Sequence, residues 1–337
     1  MRSRLLIGLT DHLEGPADQP TRAILDEVTA YVQEADRLGI EFVWFAEHHA
    51  HVHLGHIPAP LLYALHLASR TDRIRLGTAI ICLNLYHPLA VAEQVATADL
   101  LAGGRLAVGF GSGSSPEEFG LFGRDVTGDA ERHERFAEAL EVILAAWRGD
   151  GGFRGAHFCI PSHLSLPHPD PGLPGRCWQA VNSVGSARIA GRFGFNMLFS
   201  HLRTPDQYRE YRVAYVEEGG RGLIAANRPV FVGRDDETAH MQIEEPLRIL
   251  WRRFQKEGKI PADRPEPDSI EQLAAHPINF IIGGPETVAS QIRQLRDYVD
   301  FDVLNAEVRW TALAPPLIHE SLRLLATDVR GLLADGS

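Results

Sequence analysis

Cysteine is scarce in this sequence, and the three present, Cys82, Cys159 and Cys177, form no CxxC pair. An odd, sparse set in apolar surroundings supports no disulfide framework and fits a reducing compartment, so a cytoplasmic protein is expected. Long apolar runs are missing too: none approaches membrane-spanning length, and the apolar part of residues 1–6 is too short for a signal peptide. An excess of positive charge is likewise absent. The 33 basic residues face 44 acidic ones, a net charge of -11. Such a surface repels phosphate backbones and anionic lipid, which argues against nucleic acid and membrane as partners. There is no HExxH motif, so no ready-made metal-hydrolase helix.

What is present is a chain of 337 residues, 45% hydrophobic, ample for a large core. Its chemistry concentrates at one place. Residues 42–46 (Phe-Val-Trp-Phe-Ala) are apolar and end abruptly in Glu47, His48 and His49. A short apolar run bounded by polar residues reads as a buried strand with its polar end at a sheet edge. Three further histidines follow, His51, His53 and His56. The spacing of His51 and His53 suits a metal pair on one strand face, but no later strand end completes a ligand set, and loop histidines in solvent account for them. No metal is expected.

Around this stretch, strand and helix patterns alternate. Strands are predicted over 5–9, 41–46, 73–83, 105–110, 178–181, 196–200, 229–232 and 302–308. Helices are predicted over 21–38, 60–70, 88–101, 129–147, 186–193, 205–218, 236–257, 285–299 and 316–333. Strict alternation implies a parallel sheet, because each strand needs a crossover. Eight units in this length favour a single closed (β/α)8 TIM barrel over residues 1–337. The polar, proline-rich stretch 257–280 reads as a surface insertion after strand seven.

In such a barrel the strand ends form the ligand pocket. Strand five ends in Asn182-Ser183-Val184-Gly185-Ser186, where a helix starts. A helix N-terminus binds phosphate through its free N–H groups, and Ser183 and Ser186 add hydroxyls. The same residues serve equally as ordinary helix caps. The glycines at 109, 111 and 113 lack the third position of a dinucleotide fingerprint, since Ser114 stands there, and suit close approach of backbone to a flat ligand. Arg132, early in the helix after strand four, reads either as part of a solvated face partnered by Glu131, Glu134 and Glu138 or as a cation at the barrel's upper rim within reach of an anionic cofactor.

Taken in order, Phe-Ala-Glu-His-His (45–49), Arg70-Thr71 with Ile74, Leu76, Gly77, Thr78 and Ala79, Tyr86-His87-Pro88, Ala92-Glu93 with Ala96, Gly104-Arg105-Leu106 with Gly109 and Gly111, and Glu118-Phe119 with Phe122-Gly123 resemble the bacterial luciferase-like monooxygenases. Ser183 and Ser186 with Gly194-Phe195-Asn196-Met197, and the run Gly283-Gly284-Pro285-Glu286-Thr287, continue the resemblance. It implies the (β/α)8 barrel, reduced FMN at the C-terminal face (or the deazaflavin F420 in a sister branch), and oxygenation of a small organic substrate by O2. No NAD(P)H site is visible in the chain, which motivates a separate flavin reductase as partner, and the resemblance implies a homodimer. It places His48 beside the flavin as the proton-handling residue, and Ala79 and Ile80 at a strand-three bulge with a non-prolyl cis peptide under the ring. Asn182, Ser183, Ser186 and Arg132 fall on the ribityl–phosphate side. Ser112 stands where long-chain-aldehyde members carry arginine, so one phosphate-side cation is missing. Ala50 replaces an aromatic. A non-catalytic partner subunit on the same fold is a further reading. An enclosed pocket lined by Phe45, Ile81, Leu83 and Phe110 is expected to keep water from the flavin.

Overall fold

The computed structural model describes residues 4–16, 18–49, 55–124, 128–150, 152–161, 168–275, 277–310 and 312–335. Eight parallel strands close into a barrel: β1 (Leu6–Asp11), β2 (Phe42–Phe45), β3 (Arg75–Cys82), β4 (Leu106–Gly111), β5 (Cys177–Val181), β6 (Asn196–Phe199), β7 (Ile224–Val232) and β8 (Val303–Glu307). Each pairs with its neighbour in sequence. The ring closes where Leu6 of β1 lies opposite Val303 of β8. The fold is therefore the expected (β/α)8 barrel.

The helices between strands are α1 (Thr21–Arg37), α2 (Pro60–Ala68), α3 (Pro88–Leu101), α4 (Pro116–Leu121), α5 (Asp129–Arg148), α6 (Val184–Phe193), α7 (Pro205–Glu217), α8 (Asp236–Lys256), α9 (Ile270–Ala274) and α10 (Pro285–Val299), and α11 (Pro315–Leu324) follows β8. Their ends follow local chemistry. Proline opens α2, α3, α7 and α10 at a position whose N–H has no helical acceptor. Gly149 and Gly194 end α5 and α6 in the left-handed region, at φ 78° and 67°. No described helix is long and apolar enough to cross a membrane.

Strand alternation sorts the core into two layers. On β2, Phe42 and Trp44 point into the barrel, where they pack with Trp178 of β5 and Leu198 of β6. Val43 and Phe45 point outward into the layer between strands and helices, and Phe45 meets Tyr63 of α2 edge-on. Each of these fully buried aromatic side chains contributes about 2–3 kcal/mol of transfer free energy.

Two elements depart from the sequence patterns. Strand β7 begins five residues earlier than its apolar signal, because Asn227 and Arg228 interrupt that signal from inside the strand. Arg228 is buried all the same: its guanidinium lies over the Tyr208 ring and donates to the carbonyls of His201, Asn227 and Arg203. A short strand, Ile281–Gly283, pairs with the upper half of β7, beyond the part that β8 covers. Between β7 and β8 the chain also makes α8, α9 and α10. The stretch 257–280 is less superficial than its polarity suggests, since Ile260, Leu273 and Ile278 are fully buried.

Candidate active site at the barrel mouth

The C-terminal ends of the strands surround a cavity of about 470 Å³. His48, Ala79, Ile80, Ser114 and Asn182 line one side. His12, His201 and Glu307 line the floor with Thr10 and Asn305. Arg253, Phe254, Lys259, Ile278, Phe280 and Trp310 form the roof and far wall, contributed by α8, the 257–280 stretch and the segment after β8.

The apolar lining is not the one expected. Phe45, Ile81, Leu83 and Phe110 all belong to the outer layer between barrel and helices. The reason is the two-residue period of a strand: a residue beside an inward side chain faces outward. The cavity's apolar surface comes instead from Leu198, Phe199, Leu250, Phe254, Ile278, Phe280 and Trp310.

The peptide between Ala79 and Ile80 is cis. The register between β3 and β4 slips at the same place, between Thr78 and Ile81. Ile80 lies against Gly111 of β4, where an added Cβ would stand 2.5 Å from its Cδ1. A side chain at 111 would therefore require Ile80 to shift.

The acid–histidine triplet at the end of β2 divides. Glu47 and His49 turn away from the cavity. Glu47 accepts from His49 Nε2 and Tyr86 Oη, both at 3.1 Å, and more weakly from the Cys82 N–H. Burial raises the Glu47 pKa against the pull of these donors, and the hydrogen bond to Glu47 raises that of His49. His48 faces the cavity, about a third exposed, with Nδ1 3.9 Å from Glu118 Oε1 and Nε2 3.4 Å from His12 Nδ1. His51, His53 and Ala50 lie outside the described residues. His56 is not a solvated loop residue: it is buried, with Nδ1 3.1 Å from Thr21 Oγ1.

At the start of α6, Ser183 and Ser186 form a reciprocal capping box. Ser186 Oγ accepts from the N–H groups of Asn182 and Ser183 and donates to the Ser183 carbonyl. Both hydroxyls are thus engaged in capping, which leaves the N–H groups of Val184 and Gly185 as the anion-facing donors of that helix end. The first turn of α5 lies beside it, since the position of a Gly185 Cβ is 3.6 Å from His133 Nδ1. Arg132 pairs with Asp129 at 2.9 Å and keeps a buried Nε that has no acceptor among the described residues. Burial first, and then the Arg132 charge, lowers the His133 pKa, so Arg132 is the cation of this corner. Ser112 turns its hydroxyl toward the Gly113 carbonyl and is tied to Arg132 through Asn84. Ser112, Arg132, Ser183 and Ser186 therefore gather at one corner, while Ala79, Ile80, Asn182 and His48 line the cavity proper.

Three residues that the sequence patterns leave out complete the floor. Glu307, at the end of β8, is 9% exposed at its side chain. Its Oε1 is 3.3 Å from His12 Nε2, and its Oε2 is 3.1 Å from His201 Nδ1. The donor atoms of all three lie within 4.8 Å of one another. Burial opposes ionisation of Glu307, but the charges of His201 and His12, the His201 hydrogen bond and Arg253 outweigh it and hold its pKa at about 2. The available signal was position alone: each residue sits at or just past the end of a strand, far apart in sequence.

A family model described as luciferase-like monooxygenase matches residues 7–300. The oxygenase component of a flavin-dependent trigonelline monooxygenase from Acinetobacter baylyi is 28% identical over 84% of this chain and 83% of its own length. An F420-dependent glucose-6-phosphate dehydrogenase from Beutenbergia cavernae is 32% identical over 57% of this chain and 58% of its own. The match to an uncharacterized Sinorhizobium fredii protein, at 38% identity, likewise spans only 56% of that protein. Among solved structures, the oxygenating constituent of 3,6-diketocamphane monooxygenase from Pseudomonas putida, in complex with FMN, superposes with a TM-score of 0.80 at 21% identity, covering 98% of each chain. The chain belongs to the luciferase-like monooxygenase family of oxidoreductases.

Proposed function

We propose that the protein is a monooxygenase that uses reduced FMN, delivered by a separate flavin reductase, and O2 to oxygenate a small organic substrate. The observation that carries this reading is the juxtaposition at one barrel mouth of the Ala79–Ile80 bulge, His48, and the N-terminus of α6 beside Arg132. The residues present fit a planar ligand with an anionic tail. The cavity offers a backbone surface at 79–80, an amide at Asn182, and a corner with the N-terminus of α6 and the Nε of Arg132, which has no acceptor among the described residues. Reduced FMN, when bound, supplies the electrons for reaction with O2.

The chain's own part is to bind, to exclude water and to handle protons. Phe254, Phe280 and Trp310, with Phe280 and Trp310 in edge-on contact, give the cavity an apolar wall that limits water beside a bound ligand. His48 is the side chain in this wall whose ordinary pKa suits proton exchange near neutrality. The relative's name, an oxygenase component, supports a separate reductase.

The second reading is an F420-dependent oxidoreductase. Ser112, in place of an arginine on the phosphate side, favours it, and so do the F420-dependent relatives. Fluorescence titration with FMN and with F420 separates the two readings. Oxygen uptake by the protein with chemically reduced FMN is the expected result of the first; no FMN binding and no uptake would end it. We also propose a homodimer. The groove between α2 and α3, about 620 Å³ and lined by Leu61, Leu62, Leu65 and Val91, leaves Leu62 mostly exposed and suits a second copy. A single sedimenting species at monomer mass would exclude it.

A further inference from the structure

The floor of the cavity holds a chain of ionisable side chains that the proposed oxygenation does not by itself require. Glu307 sits between two histidines, one at each carboxylate oxygen. His12 then turns its second nitrogen, Nδ1, to within 3.4 Å of His48 Nε2. The His12 and His48 rings stack at 5.7 Å and 20°, and the His201 ring meets His12 edge-on at 6.0 Å. The four side chains come from just past β1, the segment after β2, just past β6 and the end of β8, so barrel closure brings them together.

The charge of Glu307 fixes the His12 end of this chain. A lone pair of His12 Nε2 turned toward an ionised Glu307 would be repelled, whereas an N–H there is attracted, even in the oblique ion-pair contact seen. The proton of neutral His12 therefore belongs on Nε2. That leaves Nδ1 as an acceptor, and its neighbour is His48 Nε2. A carboxylate that selects a histidine tautomer and so orients its proton is the arrangement of the serine-protease triad, where the acid acts through the histidine and stays ionised. Here a second imidazole is interposed.

We propose that Glu307, acting through His12, is the positioning group that sets the tautomer and proton affinity of His48. The proposal deepens the reading of His48 as the proton-handling residue and rests on it. Glu307 fixes His12 as the Nε2–H form. His12 Nδ1 accepts from His48 Nε2–H. When His48 gains a proton at Nδ1, the positive charge is stabilised along the chain toward Glu307. No bond other than N–H is made or broken, and the proton comes from solvent or substrate. Among the described residues, the other charged groups around the chain are Glu118, on the Nδ1 side of His48, Arg253, beside Glu307 and paired with Glu14 at 2.7 and 3.1 Å, and Arg203 and Lys259 in the same cavity lining. His12, His201 and Glu307 are also close enough to hold a divalent cation. Each histidine takes a different carboxylate oxygen, however, and Arg253 already supplies positive charge, so the ion-paired chain accounts for the geometry.

The test uses the full chain labelled with 15N-histidine, with no cofactor added. His12→Gln and His48→Gln assign the ring signals, and 15N shifts report each tautomer. In the parent protein, neutral His12 and His48 are both expected as Nε2–H forms. In Glu307→Gln, which keeps the shape and removes the charge, His12 becomes a mixture. The pKa of His48 falls by roughly half a unit or more, because a negative charge near it has been removed. If Glu307→Gln does not fold, the same titration of His48 in His12→Gln serves, with the same downward shift expected. Unchanged His48 titration in a folded variant overturns the proposal, as does a His12 that carries its proton on Nδ1. A stoichiometric metal whose chelation moves the His12 and His201 signals also overturns it. Because these readouts need no turnover, a protein that shows the tautomers but neither binds FMN nor consumes oxygen fails the functional reading alone.

Discussion

The side-chain amide of Asn84 donates to the backbone carbonyl of Arg132 at 3.1 Å. The same nitrogen donates to the Ser112 carbonyl at 2.9 Å. Asn84 thus clamps the loop after β4 to the first turn of α5, and Arg132 is aimed by a residue with no charge of its own. Replacing Asn84 with alanine strips both carbonyls of a buried donor, a loss of about 1–3 kcal/mol in stability. FMN affinity is expected to fall about ten-fold through the misplaced Arg132, by the cost of one such bond. Denaturant unfolding and FMN fluorescence titration measure the two losses. An unchanged FMN affinity in a measurably destabilised variant would show that Arg132 does not depend on the clamp.

The start of α6 allows a sharper separation of stability from binding. The atoms nearest a Cβ at Gly185 are His133 Nδ1 at 3.6 Å, His133 Cε1 at 3.7 Å and Ser183 Oγ at 3.8 Å, all ordinary contacts. Gly185→Asp therefore fits. Its carboxylate is favourable in a first helical turn by about 0.3–1 kcal/mol. That carboxylate also occupies and repels the anion site. The expected outcome is a thermal midpoint equal to or above the parent's with FMN binding lost by ten-fold or more. Retained binding would move the phosphate away from α6.

These residues also show what could be read from sequence and what could not. The apolar run 42–46, the proline that opens α3 and the glycines that end α5 and α6 are local signals, and the elements stand where those signals put them. Residues 79 and 80 carry the bulge and the cis peptide that the resemblance placed there. Ser183 and Ser186 were open to two readings, and the geometry spends their hydroxyls on the cap. The direction of Phe45 and Phe110 was not legible, because a continuous apolar strand hides which of its faces points inward. The cluster of His12, His201 and Glu307 was not legible either. Its members are spread across 296 positions, from 12 to 307, and meet only through barrel closure. Asn84 and His133 are of the same kind, since their roles exist only in the contact between α5 and its neighbours.

Glu47 and His49 give the protein a pH signature apart from its chemistry. The hydrogen bond to Glu47 raises the His49 pKa above 6.5, with burial opposing. Burial raises the Glu47 pKa as well, opposed by the three donors that converge on its carboxylate. A histidine with a raised folded-state pKa contributes stability in full below 6.5, and that contribution is lost as pH rises through the folded value. His49→Gln is expected to cost about 1.5–3 kcal/mol near pH 6, the worth of a hydrogen bond to a charged group. Near pH 9 it costs less. Urea unfolding of both proteins at the two pH values checks this; a penalty that grows with pH would contradict the pairing.

Gly77 and Trp44 carry the last prediction. A Cβ at Gly77 would stand 2.1 Å from Trp44 Cε3 and 2.5 Å from Cζ3. Trp44 cannot step aside. It is fully buried, stacked on Phe42 at 5.6 Å, edge-on to Trp178 at 5.1 Å, and its Nε1 donates to Asn305 Oδ1 at 3.0 Å. Gly77→Ala is therefore an overpacked core, expected to lose about 1–3 kcal/mol. The displaced indole also pulls on Asn305, which lines the cavity, so FMN affinity falls as well. Trp44→Phe removes the second ring that the new methyl strikes, and on its own costs the lost packing and the bond to Asn305. Combined with Gly77→Ala it relieves the clash, so the double variant is expected to be more stable than the sum of the two single losses predicts. Strict additivity in urea unfolding would mean that the strand backbone, and not the indole, yields to the methyl group.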